Sequence, residues 1–528
     1  MESTKKLRNM EDVIMKAERI VSAQTPSKSS DILDILLDQI GPIDFKLLAF
    51  PDIEIIKAEI KELKTFVFEK DGSYSEKNTK EVKRYQQLQK QLGSYKLNRN
   101  HYLILCIEQL LTIAETNDWG LCKRSGFIYI YNGEYWKAVD KERFQYFLGR
   151  TAMAMGVDRF TAKSFKFSED LYRTFMAVAY LLTPEADKEK VFINLQNGTF
   201  EISATKQQLR PFDRGDFLKH QLPFKYDPRA KAPLFQKYLD EVLPDVNKQK
   251  VLAEYIASVF ISTSVLKLEK VLILYGEGAN GKSVFFEIIN ALLGKENVSN
   301  YSLQSLTDNS GYYRAKIADV LVNYASEMNG RLEINLFKQL ASGEPVEARL
   351  PYGEPLNVKD YAKLIFNCNE LPKDVQHTRA FFRRFLVIHF DVSIPDNKKD
   401  VNLSKKITQN ELSGVFNWVL DGLKRLLAQS DYTKCEAIEK ALDQYKKQSD
   451  SVKQFIDEEG YEPSNNAYTL LKSLYQEYRR FCSEDGFKPV SKTNFSKRLA
   501  HYNINSKRMA PGMVVLISKK LSDESREF

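Results

Sequence analysis

The sequence is poor in cysteine and has no long apolar run. Its five cysteines, among 528 residues, are scattered, and no two of them form a C-x-x-C pair. Neither a disulfide framework nor a cysteine-rich zinc site is therefore predicted. No apolar segment is long enough to cross a bilayer, so we expect no membrane partner. The amino-terminal stretch lacks the apolar region of a secretory signal, and we expect the chain to act inside a cell.

Acidic residues are absent from one long stretch near the carboxyl end. The whole chain is nearly balanced, with 78 Lys and Arg against 70 Asp and Glu and a formal net charge of +8. That surplus permits a polyanionic partner without requiring one. Between Asp485 and Asp523, however, no carboxylate side chain occurs. The basic residues of this stretch are Lys488, Lys492, Lys497, Arg498, Lys507, Arg508, Lys519 and Lys520. The local asymmetry predicts contact with phosphates.

One stretch has the pattern of a strand, a glycine loop and a helix. The apolar run from Val271 to Tyr275 has the length of a buried strand, and apolar residues recur at helical spacing after Ser283. The loop between them fits G-x-x-x-x-G-K-[ST], a pattern in which backbone N–H groups surround phosphates. Its members are Gly276, Glu277, Gly278, Ala279, Asn280, Gly281, Lys282 and Ser283.

The two polar residues that close this loop have separate tasks in nucleotide binding. The amino group of Lys282 is placed to reach the β- and γ-phosphates, and the hydroxyl of Ser283 is placed to ligate Mg²⁺. The helix that begins near Lys282 adds the positive end of its dipole. The sequence therefore predicts a site for a nucleoside triphosphate, ATP or GTP, together with Mg²⁺.

A second candidate strand leads to an acidic residue. The run DVLVNYASE predicts a strand from Val320 to Ala325, with Glu327 just beyond its end. A carboxylate at the end of a strand beside the phosphate loop can orient the attacking water or reach the Mg²⁺ shell. We therefore take Glu327 as the candidate base. Asp319 lies at the opposite end of the strand, and we interpret it as structural.

Two further strand patterns follow. Short strands on either side of LPYGEP predict a hairpin that projects between Val346 and Val358. A strand from Ala362 to Phe366 then leads to a polar Asn-Cys-Asn run whose last residue, Asn369, is placed to touch a γ-phosphate or the attacking water. The pair Arg383-Arg384 precedes another apolar strand. Such pairs are usually solvated or salt-bridged.

The flanking regions predict further domains, and the length suggests about three or four in all. Residues 1–115 are charged and helix-forming and predict a helical region with an antiparallel helix pair. Residues 116–264 mix hairpin and helix patterns and predict an α+β domain with a helical collar. Residues 431–451 are interpreted as a linker or a connecting helix. Residues 452–528 show three helical patterns and then a hairpin around a Pro-Gly turn, which is the order of a winged helix.

The runs INLQNGTFEI and LPFKYDPRAKAPLFQKYLDEVL resemble the domain that precedes the helicase in poxvirus and phage or plasmid primase-helicases. The glycine loop and the strands after it resemble the superfamily 3 helicase part of the same family. The resemblance covers residues 120–520. It implies a multidomain α/β fold in which residues 265–430 form an AAA+-like P-loop ATPase core between a helical and α+β amino-terminal part and a carboxyl-terminal winged helix. It also implies a homo-hexameric ring that binds ATP and Mg²⁺ between subunits.

The same resemblance assigns roles to single residues of the ATPase core. Glu327 corresponds to the residue that orients water, with its Mg²⁺ contact through a water, although Ser326 stands where many superfamily 3 helicases carry a second acid. Asn369 corresponds to the sensor of the γ-phosphate. Arg384 corresponds to the arginine finger that completes the neighbouring subunit's site, with Arg383 as the second candidate. Arg379 is a weaker candidate.

The resemblance also predicts contacts with DNA. The turn at Tyr352 and Gly353 corresponds to the hairpin that holds single-stranded DNA in the central channel. A tyrosine at this tip favours base stacking over a point charge. In the carboxyl-terminal block, the candidate phosphate contacts are Lys492, Lys497, Arg498, Lys507 and Arg508.

The expected function is that of an ATP-dependent replicative DNA helicase of a phage, plasmid or other mobile element. It would act on single-stranded and forked DNA in the cytoplasm of a bacterial host or a virus-infected cell. A fused primase-helicase is an alternative, although residues 1–119 contain no D-x-D pair for the two metal ions of primer synthesis. The same motifs also fit an origin-binding initiator, or a regulatory or defence ATPase. A separate primase or initiator would be a further partner.

Overall fold

The computed structural model describes residues 32–519, apart from residues 70–71, 77, 118–119, 125, 180–189, 204–205, 327–332, 351–354, 373–374 and 376. The chain forms two compact units, Met1–Thr183 and Pro184–Phe528, and each has its own apolar core. In the described ranges no helix is both long enough and apolar enough to cross a membrane.

The first unit is mostly helical and contains one small antiparallel sheet. Its elements are α1 (Ile32–Asp38), α2 (Phe45–Ala49), α3 (Ile53–Val67), α4 (Thr79–Ser94), α5 (Arg99–Thr116), β1 (Leu121–Arg124), β2 (Phe127–Tyr131), β3 (Trp136–Val139), α6 (Lys141–Ala154), α7 (Arg159–Ala162) and α8 (Phe165–Val178). The strand order is β1-β2-β3. Asn132 and Gly133 lie in the turn between β2 and β3, so the predicted hairpin is confirmed.

Two apolar clusters hold this unit together. Helices α3 and α4 pack on each other through Ile56, Ile60, Val67, Tyr85 and Leu88, which confirms the predicted helix pair. A larger core joins α1, α5, the sheet, α6 and α8. Apolar residues recur at helical spacing along α8, so one face of that helix is buried and the opposite face is left to solvent.

The second unit begins with a sheet and two helices and continues into a larger parallel sheet. Its first elements are β4 (Lys190–Leu195), β5 (Gly198–Ser203), β6 (Gln207–Arg210), β7 (Gln221–Leu222), α9 (Pro233–Val242), α10 (Val246–Ser258), β8 (Val271–Tyr275), α11 (Lys282–Leu293), β9 (Val298–Ser299), α12 (Leu303–Leu306), α13 (Tyr312–Lys316), β10 (Val322–Ala325), α14 (Ile334–Ser342), β11 (Val346–Arg349), β12 (Pro355–Val358), β13 (Lys363–Cys368), α15 (Arg379–Phe382) and β14 (Phe385–His389).

The remaining elements of this unit are mainly helical. They are α16 (Leu403–Asn410), α17 (Leu412–Gln429), α18 (Glu436–Gln448), α19 (Ser451–Glu458), β15 (Tyr461–Pro463), β16 (Thr469–Leu470), α20 (Leu471–Glu484), α21 (Lys492–His501), β17 (Ser506–Met509), β18 (Gly512–Val515) and β19 (Ile517–Lys519). Three short 3-10 helices, Arg214–Asp216, Lys295–Asn297 and Asp396–Lys398, lie between described elements.

Five parallel strands in the order β14-β8-β13-β10-β9 form the centre of the second unit. The predicted strand Val271–Tyr275 is confirmed as β8, and its first four residues are fully buried. A continuous apolar run is what a parallel strand needs, because both faces of such a sheet are covered. The predicted hairpin between Val346 and Val358 is also confirmed, as β11 and β12.

The four-stranded sheet β6-β5-β4-β7 shares its core with the parallel sheet. Val191 and Phe200 of this smaller sheet belong to the same apolar cluster as Leu272 of β8 and Phe285 of α11. The prediction of one α+β domain over residues 116–264 is therefore wrong. Its first part joins the first unit and its second part joins the second, because hairpin and helix patterns are local and do not report which core they enter.

Helices α10 and α17 lie very close together. A Cβ at Gly422 would lie 2.6 Å from the backbone carbon of Ala253, so only glycine permits this approach. The buried carboxylate of Glu254 accepts hydrogen bonds from Arg425 Nε at 3.0 Å and from Thr433 Oγ1 at 2.6 Å. The close contact and the buried ion pair make α17 part of the core.

The segment predicted as a linker, residues 431–451, contains helix α18 and packs on the parallel sheet. Tyr445 of α18 is 1% exposed, its hydroxyl donates to Pro372 O at 3.0 Å, and its ring meets the rings of Phe382 and Phe385 edge-on. The segment is therefore not a linker, and the alternative prediction of a connecting helix is confirmed by α18. The many charged residues of this segment lie on the outer face of the helix and hid its apolar contact.

The last block has its own small core. The three helical patterns predicted after residue 452 are confirmed as α19, α20 and α21, and the hairpin as β17 and β18. Strand β16 extends this hairpin to a three-stranded sheet, and β15 pairs with β19. The rings of Phe455, Tyr478 and Phe495 pack together at the centre.

Replacing Tyr445 with alanine should destabilise the second unit. The substitution removes a buried ring and its hydrogen bond, and large-to-small changes of this kind cost about 3–5 kcal/mol. The measurement is the shift of the thermal unfolding transition. Tyr468→Ala is the matched control, because that ring is 51% exposed. Equal shifts for both variants would contradict the docked position of α18.

Candidate functional site

All five parallel strands end at one edge of the sheet. Because they run in the same direction, the segments that follow β8, β10, β13 and β14 meet at that edge. Strand β13 lies between β8 and β10, and its Cys368 is paired with Tyr275 of β8. The segments brought together are residues 276–283, 326, 369–370 and 390–394.

The loop between β8 and α11 has an unusual backbone. The φ angle is +111° at Gly278, +50° at Ala279 and +86° at Gly281. When residues with positive φ stand beside residues with negative φ, successive N–H groups point to the same side of the loop. The concavity that they form binds anions. Helix α11 begins at Lys282 without a side-chain cap, so its first N–H groups point toward the same concavity.

The two glycines at the start of the loop have opposite surroundings. A Cβ at Gly276 would lie 2.2 Å from Asn280 Nδ2 and 2.5 Å from Phe390 O, so the loop closes tightly there. At Gly278 nothing lies within 4 Å of the Cβ position. The open side at Gly278 leaves space for a group as large as a phosphate, so the residues of the loop fit a nucleotide.

Hydrogen bonds from three neighbouring segments fix the loop. Gly276 N donates to the carbonyl of Cys368 at 3.2 Å, and Ile394 N donates to the carbonyl of Ala279 at 2.8 Å. Tyr238 of α9 donates its hydroxyl to Gly281 O at 2.8 Å. Strand β13, the chain after β14 and helix α9 therefore all hold the loop in its shape.

Lys282 lies inside the loop. Its Nζ donates to Gly276 O at 2.6 Å and to Asn280 Oδ1 at 3.0 Å, and its side chain is buried. Burial lowers the pKa of Lys282 from its ordinary value. The neighbouring Cys368 thiol has its pKa raised to about 12 by burial, so it is not a thiolate at neutral pH. Ser283, the candidate Mg²⁺ ligand, is exposed.

The strands beside the loop differ from the predicted ones at their ends. Strand β10 begins at Val322, two residues later than predicted, and Asp319 before it pairs with Lys219 at 2.7 Å, in keeping with a structural role. Strand β13 runs on through Asn367 and Cys368, which had been predicted to follow it. Asn367 is buried, and its Oδ1 accepts a hydrogen bond from Tyr324 Oη at 3.0 Å.

Asn369 is the residue of the polar run that stays accessible. It is exposed just after β13, beside the phosphate loop. Glu327 lies outside the described residues, as do Tyr352 and Gly353 at the turn of the β11-β12 hairpin. Their predicted roles are not tested by the geometry.

Arg384 is bound within its own chain. Its side chain is 8% exposed, and its guanidinium donates to Ser342 Oγ at 2.8 Å, to Lys338 O at 3.2 Å and to Ala380 O. These bonds anchor the end of α14 to the start of β14. The prediction that Arg384 reaches another subunit is at odds with this position, because it would leave buried acceptors without a donor.

Arg383 is the exposed member of the pair. Its side chain is 58% exposed, and its guanidinium contacts Glu269 Oε2 at 3.1 Å. Lys267 Nζ lies 2.9 Å from the same carboxylate, and the two cations, Lys267 first, lower the pKa of Glu269. Arg379 is exposed as well. Sequence alone did not distinguish the two members of the arginine pair, whereas the fold does.

The carboxyl-terminal basic residues fall into two groups. The exposed ones, on α21 and the β17-β18 hairpin, are Lys492, Lys497, Lys507 and Arg508. Arg498 differs, because its guanidinium lies 3.0 Å from the buried carboxylate of Asp450. The predicted DNA contact by Arg498 is not tested, and its charge is already paired within the fold.

Asp450 joins the last block to the parallel-sheet region. Besides Arg498, its carboxylate accepts from Tyr502 Oη at 2.6 Å and from the N–H of Val452 at 3.0 Å. His377 Nδ1 lies 3.8 Å from the same carboxylate, and burial lowers the pKa of this histidine. The segment before Arg379 and helix α21 thus meet at one buried charge.

Several residues of the site were missed by sequence reasoning. Tyr238 carried only the apolar spacing of an ordinary helix, and nothing in the sequence signals its bond to the loop. The segment 390–394 follows an apolar strand and has no motif of its own. Lys248 is buried, and its Nζ donates to His389 O at 3.0 Å. Such contacts come from the packing of distant segments.

Comparison with known families finds three matches. The family described as D5 N terminal like matches residues 110–244. The family described as Family of unknown function (DUF5906) matches residues 274–384, from the phosphate loop to Arg384. The family described as Poxvirus D5 protein-like matches residues 447–523.

Two kinds of relatives add to these matches. A protein of Acanthamoeba polyphaga mimivirus whose name describes it as a helicase is 24% identical over 219 residues, which are 39% of this chain and 22% of that protein. The match thus spans about a fifth of the length of that curated relative. Two apo structures of the NrS-1 C-terminal region are 12% and 13% identical, with TM-scores of 0.42 and 0.40. Each match covers 79% of this chain and 99% of the NrS-1 chain.

The two neighbouring arginines should differ in their effect on stability. Arg384→Ala leaves a hydroxyl and two carbonyls without their donor and should lower the free energy of unfolding by about 2–3 kcal/mol. Arg383→Ala removes an exposed ion pair and should change it by less than about 1 kcal/mol. Denaturant unfolding of the two variants measures this difference. The reverse order would contradict the buried position of Arg384.

Proposed function

The chain is a relative of the phage- and poxvirus-type primase-helicases, and from this premise we propose that it is an ATP-driven DNA helicase working as a ring. The ring's subunits are copies of this chain, and a hexamer is the expected number. One observation carries the proposal. The phosphate loop follows the carboxyl end of β8, whereas the exposed Arg383 precedes the amino end of the neighbouring parallel strand β14. In this proposal Arg383 completes the ATP site of a second copy, because it lies too far from the loop of its own chain.

The distance across the sheet supports this step. Arg383 precedes β14, whose five residues run toward the phosphate loop. At about 3.3 Å per residue, the strand separates Arg383 from its own loop by roughly 16 Å, beyond the reach of a side chain. An arginine supplied by a neighbouring subunit stabilises charge on the transferring phosphoryl group and raises the rate about a thousandfold or more. We assign this role to Arg383 in place of Arg384.

The loop residues bind the nucleotide in this proposal. The backbone N–H groups from Gly276 to Ser283 surround the β-phosphate, and Lys282 transfers its hydrogen bonds from the loop to phosphate oxygens. Ser283 holds Mg²⁺, which neutralises the developing charge on the phosphates when it is bound. Asn369 contacts the γ-phosphate or the attacking water, and Glu327 orients that water.

The contacts with DNA lie in two places. The β11-β12 hairpin carries Tyr352 and Gly353 at its turn and holds single-stranded DNA in the channel by stacking. The last block forms a winged helix that binds phosphates through the exposed cations of α21 and the β17-β18 hairpin. Asp450 links that block to the segment that carries Arg379, so DNA and ATP act on adjoining parts of one unit.

A second candidate is the helicase part of a fused primase-helicase. The family relationship favours it, and the match spans about a fifth of the mimivirus relative. Labelled nucleotides and a single-stranded template test whether this chain makes primers by itself. We expect no incorporation, and incorporation by the purified chain would favour the fused function.

Lys282→Ala should abolish ATP hydrolysis and unwinding of a forked duplex while DNA binding is kept. The reason is that Lys282 contacts the nucleotide only, and the DNA contacts lie elsewhere. Hydrolysis, strand separation and DNA binding are measured on the same preparation. A wild-type chain that binds DNA and ATP but hydrolyses no ATP would instead support an initiator in which ATP drives assembly.

Mixing two inactive variants should restore part of the ATPase activity. In a mixed ring, the intact loop of an Arg383→Ala subunit can face the intact arginine of a Lys282→Ala subunit. The measurement is ATPase rate against mixing ratio after subunit exchange. A mixture of Lys282→Ala with Ser283→Ala is the control, because every interface in it has a damaged loop. Recovery in the control, or none in the test mixture at any ratio, would contradict action between subunits.

A further inference from the structure

Five exposed aromatic and basic side chains lie between residues 159 and 166 of the first unit, far along the chain from the residues discussed above. We call this group the aromatic-basic patch, and its members are Arg159, Phe160, Lys163, Phe165 and Lys166. Phe160 is 82% exposed and Phe165 is 83% exposed, and among the large apolar side chains of the described residues only Val401 is more exposed. Two nearly bare phenylalanines five residues apart in sequence need a reason.

Helix geometry explains why the two rings point outward. In α8, Phe167, Leu171 and Phe175 recur every four residues and are buried. Phe165 lies two positions before Phe167, which places it on the opposite face of the helix. In the single turn of α7, Ala162 is the buried residue, and Phe160 again lies two positions away. Neither ring can join the core without reversing its helix.

The backbone that carries the patch is well anchored. Asp158 caps α7 by accepting from the N–H groups of Phe160 and Thr161, each at 3.0 Å. Ser164 caps α8 by accepting from Phe167 N at 3.2 Å. The aromatic rings therefore stand on fixed helix ends, and ordering a flexible loop is not needed before a ligand binds.

Charge selects the kind of ligand. Arg159, Lys163 and Lys166 form no ion pair with any residue that the structure describes. The carboxylates next in sequence are already engaged: Asp158 in the cap of α7, Glu169 with Arg173 at 3.1 Å, and Asp170 with Arg99 at 2.6 Å. The stretch from Asp158 to Lys166 therefore combines two bare aromatic rings with three cations against one carboxylate.

We propose that the aromatic-basic patch binds single-stranded DNA. Its two phenylalanines stack on bases and its three cations contact phosphates, a combination that binds single strands with little preference for sequence. A purely apolar protein partner would gain nothing from the unpaired cations. The proposal rests on DNA as the partner in the proposed function and does not depend on ATP hydrolysis, so the two can fail separately.

The test uses the full-length chain without ATP. Binding of a fluorescent oligo-dT strand is measured by anisotropy for the wild type, Phe160→Ala/Phe165→Ala and Lys163→Glu/Lys166→Glu. We expect the aromatic double variant to bind about a hundredfold more weakly, because it removes two rings and each stacked base contributes about a factor of ten. The charge-reversal variant should weaken binding and reduce its dependence on salt concentration.

Matched controls come from helix α3, on the other helix pair of the first unit. Phe66 is 60% exposed, and Lys61 and Lys64 are exposed on the same helix. Phe66→Ala and Lys61→Glu/Lys64→Glu should leave DNA binding unchanged. All of these side chains are exposed, so thermal unfolding should be the same for every variant, which separates a lost contact from a lost fold.

Photocrosslinking locates the contact directly. An oligo-dT strand that contains 5-iodouracil should crosslink to Phe160 or Phe165 in the wild type. Unchanged affinity in the double variant, with crosslinks confined to the last block, would overturn the proposal. If the double variant binds DNA as tightly as the wild type but differs from it in oligomeric state, the proposal is overturned in favour of a contact between copies of the chain. DNA binding without ATPase activity would leave it standing and overturn the helicase instead.

Discussion

The hydrogen bonds that hold the phosphate loop are the constraint on which the second unit depends. The chain after β14 donates from Ile394 N to the carbonyl of Ala279, and Asn280 Nδ2 donates to Phe390 O. The other end of β14 carries Arg383. One short strand, paired along its whole length with β8, thus leads to the loop contacts at one end and to the exposed arginine at the other. In the proposed ring, that strand joins the phosphate loop of a subunit to Arg383, the residue that the subunit contributes to its neighbour's site.

The strand, loop and helix around Lys282 could be predicted from the sequence because each has a strong local cause. A fully apolar run forms a buried parallel strand, and glycines at fixed positions permit positive φ. The hairpin β11-β12 and the three helices of the last block also follow from local periodicity. These are the parts of the fold in which neighbouring residues decide the structure.

The rest depends on contacts between distant segments. Arg383 and Arg384 are identical residues in sequence, and only the carbonyls and hydroxyl near α14 decide that Arg384 is buried. Arg498 is one of many cations in its stretch until Asp450, far away in sequence, pairs with it. The charged segment 431–451 hid the buried Tyr445. In each case the partner that decides the position of the residue lies elsewhere in the chain.

The most direct measurement is an electron cryomicroscopy structure of the particle with a non-hydrolysable ATP analogue and forked DNA. The account predicts a closed ring in which the nucleotide lies on one subunit's loop from Gly276 to Ser283. The guanidinium of Arg383 from the adjacent subunit should lie at hydrogen-bond distance from the γ-phosphate, with Arg384 still bonded to Ser342. A nucleotide bound entirely within one subunit, with Arg383 facing solvent, would contradict it.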